Sequence, residues 1–194
     1  MKLELGCGDR PTEGYLHQDI SKVNGTKLDF ECQPFDIKLE EGSLEEVIAL
    51  GVMEHMNEVD FTLTLSKIIW FLQNNGQFLF DVPDMKYWFD YMNCITGMDT
   101  RGQSPFDEEH VTNTILGWRR FPGDEHKSFW WYDKLANFLK RNEVYYLNSW
   151  PTYTIFWEIK ETPEIFVNKG FKRNRFERYT TDRHLYVKVT KVCK

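Results

Sequence analysis

Met1-Lys2-Leu3-Glu4-Leu5-Gly6-Cys7-Gly8 is the stretch on which the reading of this chain turns. Leu3 and Leu5 mark a short strand, and Gly6 and Gly8 follow at once, where a backbone must turn sharply or let a ligand come close. A Gly-x-Gly pair also ends ordinary strands, so its weight depends on what comes next. Asp9-Arg10-Pro11-Thr12-Glu13-Gly14 is a run of turn formers too broken for a proper helix, and Tyr15 to Ile20 then reads as a second strand with Asp19 near its end. An acid at that point either accepts hydrogen bonds from the ribose of a nucleotide or is simply solvated. Thr26 to Phe30 is a third segment, with Asp29 in a comparable position.

Outward from there the pattern becomes that of a sheet covered on both faces. Val47-Ile48-Ala49-Leu50 is continuously apolar and runs into Gly51-Val52-Met53-Glu54-His55-Met56. Asn57 is a helix cap, and Phe61, Leu65, Ile68 and Leu72 recur at helical spacing until Asn75-Gly76. Gln77 to Val82 gives another apolar strand before Pro83-Asp84. Strands of this kind alternating with loops and a helix predict an open parallel α/β sheet, in which ligands bind at the carboxyl ends of the strands. Gly6, Asp19, Asp29, Gly51 to His55 and Asp81 to Asp84 all fall at such ends.

Composition narrows the function. With 194 residues the chain is read as a single domain, 1–194. Its net charge of -6 argues against a nucleic-acid partner, which needs a basic footprint. No apolar run approaches the roughly 18 residues of a membrane helix, and the N-terminus lacks the regions of a secretory signal. Cys7, Cys32, Cys94 and Cys193 are scattered, with no Cys-x-x-Cys pair, so no metal is expected and a reducing, cytoplasmic setting fits.

Past Met85 the signals are aromatic rather than periodic. Met85 to Met92 is predicted helical, Thr96 to Glu109 a long loop, and Leu116 to Trp131 brings Trp118, Arg119, Arg120, His126, Trp130 and Trp131. Residues 85–131 are read as an inserted aromatic-rich lid on the substrate side; core packing is the other use for these rings. Leu135, Phe138 and Leu139 mark a helix, Val144 to Leu147 a strand, and Pro163 to Lys169 a short helix. Phe171 to Tyr179 and Leu185 to Val189 are expected to form a C-terminal antiparallel hairpin. Lys172, Arg173, Arg175 and Arg178 make one basic cluster, either a solvated face or a contact for an acidic substrate.

The order Glu4-Leu5-Gly6-Cys7-Gly8, Gly14-Tyr15 through Asp19-Ile20, Asp29-Phe30, Val52-Met53-Glu54-His55-Met56, Asn75-Gly76 and Val82-Pro83-Asp84 resembles class I S-adenosylmethionine-dependent methyltransferases. The small bacterial-type members with Leu-Gly-Cys-Gly and Leu-Glu-His motifs are the most similar. The resemblance covers roughly the first 85 residues and implies a Rossmann-like, mostly parallel sheet with S-adenosylmethionine as cofactor. It implies that the loop Leu5, Gly6, Cys7 and Gly8 passes close to the methionine part of the cofactor. Asp19 would hold the ribose hydroxyls, Ile20 would pack on adenine, and Asp29 and Phe30 would meet the adenine edge. Gly51 and Val52 would contact the amino-acid portion, and His55 the cofactor or the substrate. Glu4 would orient the loop.

Two departures from the family pattern stand out. Asp19 lies eleven residues beyond Gly8, against about twenty in a dinucleotide fold, so the first crossover helix must be minimal. Met53 stands where Leu is usual, a volume-conserving change.

Methyl transfer to a hydroxyl, amine or carboxylate of a small molecule, such as a sugar or metabolite, is the function implied. A base, where one is needed, would be His55, His126 or Asp84. A binding or scaffold protein that keeps the fold without turnover is the alternative. A nucleic-acid methyltransferase is disfavoured by the acidic balance. Gly-x-Ser-x-Gly, His-Glu-x-x-His and Walker motifs are absent from the sequence. The oligomeric state is not legible.

Overall fold

The computed structural model describes residues 1–22, 25–97, 108–119, 123–149, 153–161 and 183–193. Among them a seven-stranded sheet runs in the order β3-β2-β1-β4-β5-β7-β6. Its strands are β1 (Lys2–Leu5), β2 (Leu16–Asp19), β3 (Phe30–Glu31), β4 (Leu44–Ala49), β5 (Leu72–Pro83), β6 (Tyr153–Lys160) and β7 (His184–Cys193). The first five are parallel to one another, whereas β7 runs antiparallel to both β5 and β6. Four helices are described: α1 (Glu58–Phe71), α2 (Met85–Gly97), α3 (Glu108–Leu116) and α4 (Tyr132–Ser149). None is long and apolar enough to cross a membrane.

The apolar strands are explained by burial on both faces. Register pairs Leu3 with Val47 and Leu5 with Ala49. These four join Phe78 and Phe80 in one core with Phe61, Leu65 and Ile68 of α1 and Leu135, Phe138 and Leu139 of α4. Ile48, Leu50 and Leu79 point the other way and pack with Tyr15 and Tyr186. A strand with both sets of side chains buried needs no polar alternation, so period two vanishes from its sequence. At the start of α1 the Asn57 side chain accepts hydrogen bonds from the amides of Val59 and Asp60, each at 2.9 Å.

Several boundaries differ from expectation. The helix α1 stops at Phe71 rather than at Asn75-Gly76, because Leu72 already pairs with Leu44 as a buried sheet residue. Its helical spacing from Ile68 is therefore a coincidence of two cores meeting. Val144 to Leu147 is not a strand but part of α4, which continues from the buried Leu135, Phe138 and Leu139 through Ser149. Favourable packing of one helical face outweighs the strand preference of Val-Tyr-Tyr-Leu. No helix lies between β1 and β2; that crossover is made of turns alone.

The antiparallel end of the sheet is present, with β6 as the outer partner of β7. Phe171 to Tyr179, Pro163 to Lys169 and the basic cluster Lys172, Arg173, Arg175 and Arg178 lie outside the described residues, as do 98–107 of the expected Thr96 to Glu109 loop. Thr96 itself is helical in α2, and Glu108 and Glu109 begin α3. Of the aromatics, Trp130 is fully buried in the main core, edge-on to Phe61 and Phe138. Trp88 is buried in a smaller cluster with Met85, Tyr91, Val111 and Ile115, while Trp131 is 41% exposed. Two of the rings considered for ligand contact are thus core.

Candidate functional site

The strand order reverses between β1 and β4, since β2 and β3 lie on one side of β1 while β4 and β5 lie on the other. At such a switch point the loops leaving adjacent strands diverge and open a crevice at their carboxyl ends. Gly6 and Gly8 leave β1 there with φ of 59° and 58°, the left-handed region that glycine enters without steric cost. A Cβ on Gly6 would lie 2.4 Å from Cγ2 of Val52, so the loop after β1 touches the loop after β4. A Cβ on Gly8 would meet nothing within 4 Å. The first glycine is required by a neighbouring side chain; the second faces open space.

Hydrogen bonds fix this loop from three sides. Gly6 N donates to Gln18 Oε1 at 3.2 Å, and Cys7 N donates to the carbonyl of Gln18 at 3.1 Å. Gly8 N donates to Asp19 Oδ2 at 2.8 Å, while Asp19 Oδ1 accepts from Ile20 N at 2.7 Å. Each carboxylate oxygen offers two acceptor directions, so these bonds orient Asp19 without exhausting it. Glu4, 1% exposed, accepts from both the amide and the hydroxyl of Thr12, at 2.7 and 2.9 Å. That anchor draws the crossover back onto β1. Leu5 and Cys7 are buried beneath the loop.

On the other side of the crevice Gly51, at φ 64°, donates its amide to Asp81 Oδ1 at 2.8 Å. Asp81 is fully buried, and its Oδ2 accepts from Nδ1 of His184 at 2.8 Å. One carboxylate thus links the loop after β4, the strand β5 and the start of β7. The sequence places Asp81 on this rim without marking its role, and nothing local marks His184, which precedes the alternating Leu185, Val187 and Val189.

After Val52 the chain makes a 3₁₀ turn, Met53–His55, that buries Met53 and Glu54 and leaves His55 half-buried. The segment 123–128 crosses over this turn. Lys127 N and Ser128 N both donate to the carbonyl of Glu54, at 2.9 and 3.2 Å. At the other end a Cβ on Gly123 would lie 3.5 Å from Cδ1 of Ile20, the 41% exposed residue after Asp19. The segment therefore reaches from the end of β2 to the end of β4. Gly117, at φ 87°, admits it closely: a Cβ there would sit 2.0 Å from the carbonyl oxygen of Asp124.

This crossing brings His126 against His55, with ring centroids 4.9 Å apart and edge to face. His126 Nε2 also lies 3.9 Å from Glu54 Oε1, with both side chains almost wholly buried. Burial pushes the Glu54 carboxyl above the usual carboxylate range. Burial, reinforced by the neighbouring His55, lowers the His126 imidazole to about 4. Glu54 carries no functional expectation from the sequence, although it stands inside the quoted Val52 to Met56 motif.

Two further candidates, Asp29 and Asp84, are each engaged by a backbone amide. The Asp29 carboxylate accepts from the amide of His17 at 2.8 Å, two positions back along β2 from Asp19, while Asp29 N donates to the His17 carbonyl. Phe30, beside it, packs against the main core. Asp84 stands at the start of α2, where its Oδ1 accepts from Lys86 N at 3.1 Å and its carbonyl accepts from Trp88 N. Burial raises its carboxyl, and helix capping is a sufficient structural use for it.

No family model matches the sequence, and no curated protein does. Solved structures do match in fold. A Burkholderia thailandensis 1,6-didemethyltoxoflavin-N1-methyltransferase, with 1,6-didemethyltoxoflavin and S-adenosylhomocysteine bound, aligns at a TM-score of 0.54 and 13% identity over 98% of this chain and 70% of its own. An S-adenosylmethionine-dependent methyltransferase from Mesorhizobium loti aligns at 0.51 and 15% over 97% and 89%. One from Archaeoglobus fulgidus aligns at 0.52 and 12% over 98% and 85%. The chain has the class I methyltransferase fold.

Proposed function

We propose that this chain, built on the class I methyltransferase fold, binds S-adenosylmethionine and transfers its methyl group to a hydroxyl, amine or carboxylate of a small molecule. The observation that carries the reading is the loop after β1, with Gly8 open to space and its amide fixed on Asp19 at the switch point. A cofactor lying along that loop needs close main chain, an acid for its ribose and an apolar cover, and Gly6 to Gly8, Asp19 and Ile20 fit those needs. Bound there, S-adenosylmethionine would supply a methyl carbon that the acceptor's nucleophile takes in line from sulfur, with S-adenosylhomocysteine as the leaving group. The protein's part is then chiefly to hold two partners in register.

Gly51 and Val52 bound the far side of the crevice, where the amino-acid portion would lie. The segment 123–128 would roof it, within the 85–131 region that we take as the substrate side. Asp29, turned onto β2, supports an adenine contact only if its carboxylate is shared with the His17 amide. Of the base candidates, His126 is neutral near pH 7 and a weak proton acceptor, and His55 stands half-buried beside it.

Incubation with methyl-labelled S-adenosylmethionine and a panel of small acceptors bearing each of the three groups tests the reading. Label in one acceptor class is expected; cofactor binding without transfer to any would favour the non-catalytic alternative. His126→Gln is expected to lower kcat by no more than about tenfold, less than the roughly 100-fold that a base of well-matched pKa supplies. Cofactor affinity should stay within about twofold, because His126 lies on the roof and not on the β1 loop. Equal losses of both would make His126 a support of the cofactor pocket instead.

A further inference from the structure

We propose that Glu54, His55 and His126 form a binding site for one divalent transition-metal cation of the zinc type at the carboxyl end of β4. The inference does not depend on the cofactor reading. One ligand atom from each of the three side chains lies within 4.8 Å of the others. Two imidazoles and one carboxylate are a ligand set that suits zinc and its neighbours in the first transition row.

Three observations point to a cation rather than to ordinary packing. The first is tautomeric. His126 Nδ1 lies 3.1 Å from the carbonyl oxygen of Ile115, and His55 Nδ1 lies 3.2 Å from that of Glu125. A carbonyl oxygen can only accept, so each ring carries its hydrogen on Nδ1 and, when neutral, keeps a lone pair on Nε2. Holding the far nitrogen of a histidine by a main-chain carbonyl is the usual support of a metal ligand.

The second is the orphaned oxygen. Glu54 is 3% exposed, and its Oε2 has no hydrogen-bond partner among the described residues. An unpaired acid in such a place is costly, and a cation satisfies it together with the two imidazole lone pairs. The third is rigidity. The Glu54 carbonyl accepts from Lys127 N and Ser128 N, which clamps the segment bearing His126 onto the turn bearing the other two.

Ligand atoms around tetrahedral zinc sit ~2.0–2.2 Å from the ion and hence roughly 3.4 Å apart. His126 Nε2 and Glu54 Oε1 are 3.9 Å apart and no two of the three ligand atoms are more than 4.8 Å apart, so closure on a cation asks the side chains to draw together by roughly 1 Å. Three protein ligands leave a coordination position for an oxygen or nitrogen of a bound molecule. The sequence hides this site because Glu54-His55 and His126 are joined by no spacing motif, only by the segment that crosses the turn.

The test uses the full chain, stripped with a chelator and titrated with zinc chloride against a chromophoric competitor. Circular dichroism verifies the fold of every variant. One zinc per chain, with a higher melting temperature when zinc is present, is the expected result. Glu54→Gln, His55→Gln and His126→Gln should each weaken binding at least about tenfold. Glu54→Gln is close in shape and should fold even if a histidine variant does not.

Folded wild-type protein that retains no zinc, or zinc affinity that none of the three substitutions changes, overturns the proposal. Calorimetry with S-adenosylhomocysteine on the same preparations keeps the two readings apart. Zinc bound without it leaves the metal site standing and removes the methyltransferase, and the reverse result does the opposite.

Discussion

Asp19→Ala is expected to weaken S-adenosylhomocysteine binding on the order of 100-fold in calorimetric titration. Asp19 fixes the β1 loop through Gly8 N and holds its own turn through Ile20 N. Its remaining acceptor positions are those a ribose diol would use. Hydrogen bonds to an ionised group are worth ~1.5–3 kcal/mol each, and ~1.4 kcal/mol is a tenfold change in affinity, so loss of two gives the stated size. Asp19→Asn keeps one acceptor oxygen and should fall between wild type and alanine. Loss of the bonds from Gly8 N and Ile20 N should also cost stability, by roughly 1–3 kcal/mol because at this half-buried position water replaces the carboxylate in part. Unchanged affinity in the alanine variant would mean that the acid serves the loop alone.

Gly6→Ala is expected to destabilise the protein by roughly 3 kcal/mol, combining a non-glycine residue forced to left-handed φ with an overpacked contact. The φ is 59°, and the new methyl would stand 2.4 Å from Val52 Cγ2. For a chain of this size the melting temperature should fall by about 10 °C. Val52→Ala in the same chain removes the collision and should recover part of the loss, leaving the backbone contribution. Gly8→Ala is the informative contrast. Its φ is 58°, but the methyl would meet nothing. About 1 kcal/mol of stability should go, with a larger loss of cofactor affinity, because the methyl enters the space the cofactor would fill. Thermal unfolding and calorimetry on the two variants separate the effects. Equal melting temperatures would show that Val52 yields freely.

Some of this was legible in the sequence for physical reasons. Glycine at Gly6 and Gly8 announces a backbone that other residues resist, and an apolar run such as Val47 to Leu50 announces a strand buried on both faces. Asn57 announces its helix because its side chain satisfies amides that nothing else reaches. What stayed hidden depends on long-range pairing. Leu72 reads as helix by spacing but is claimed by β4, and Val144 to Leu147 reads as strand by composition but extends a helix whose face is already buried.

The site divides in the same way. Gly6, Gly8 and Asp19 are close in sequence and close in space. His184 meets Asp81 across 103 positions and His126 meets Glu54 across 72, and no local pattern signals either. Asp29 shows the limit from the other side: its position in the sequence suggests the crevice, while its carboxylate is bound to the amide of His17.

Isothermal calorimetry of the wild-type chain with S-adenosylhomocysteine decides whether the crevice at the ends of β1 and β4 is a cofactor site. Saturable binding of one molecule per chain is expected. A folded protein that gives no binding heat, and no change in melting temperature with S-adenosylhomocysteine in excess, would contradict it.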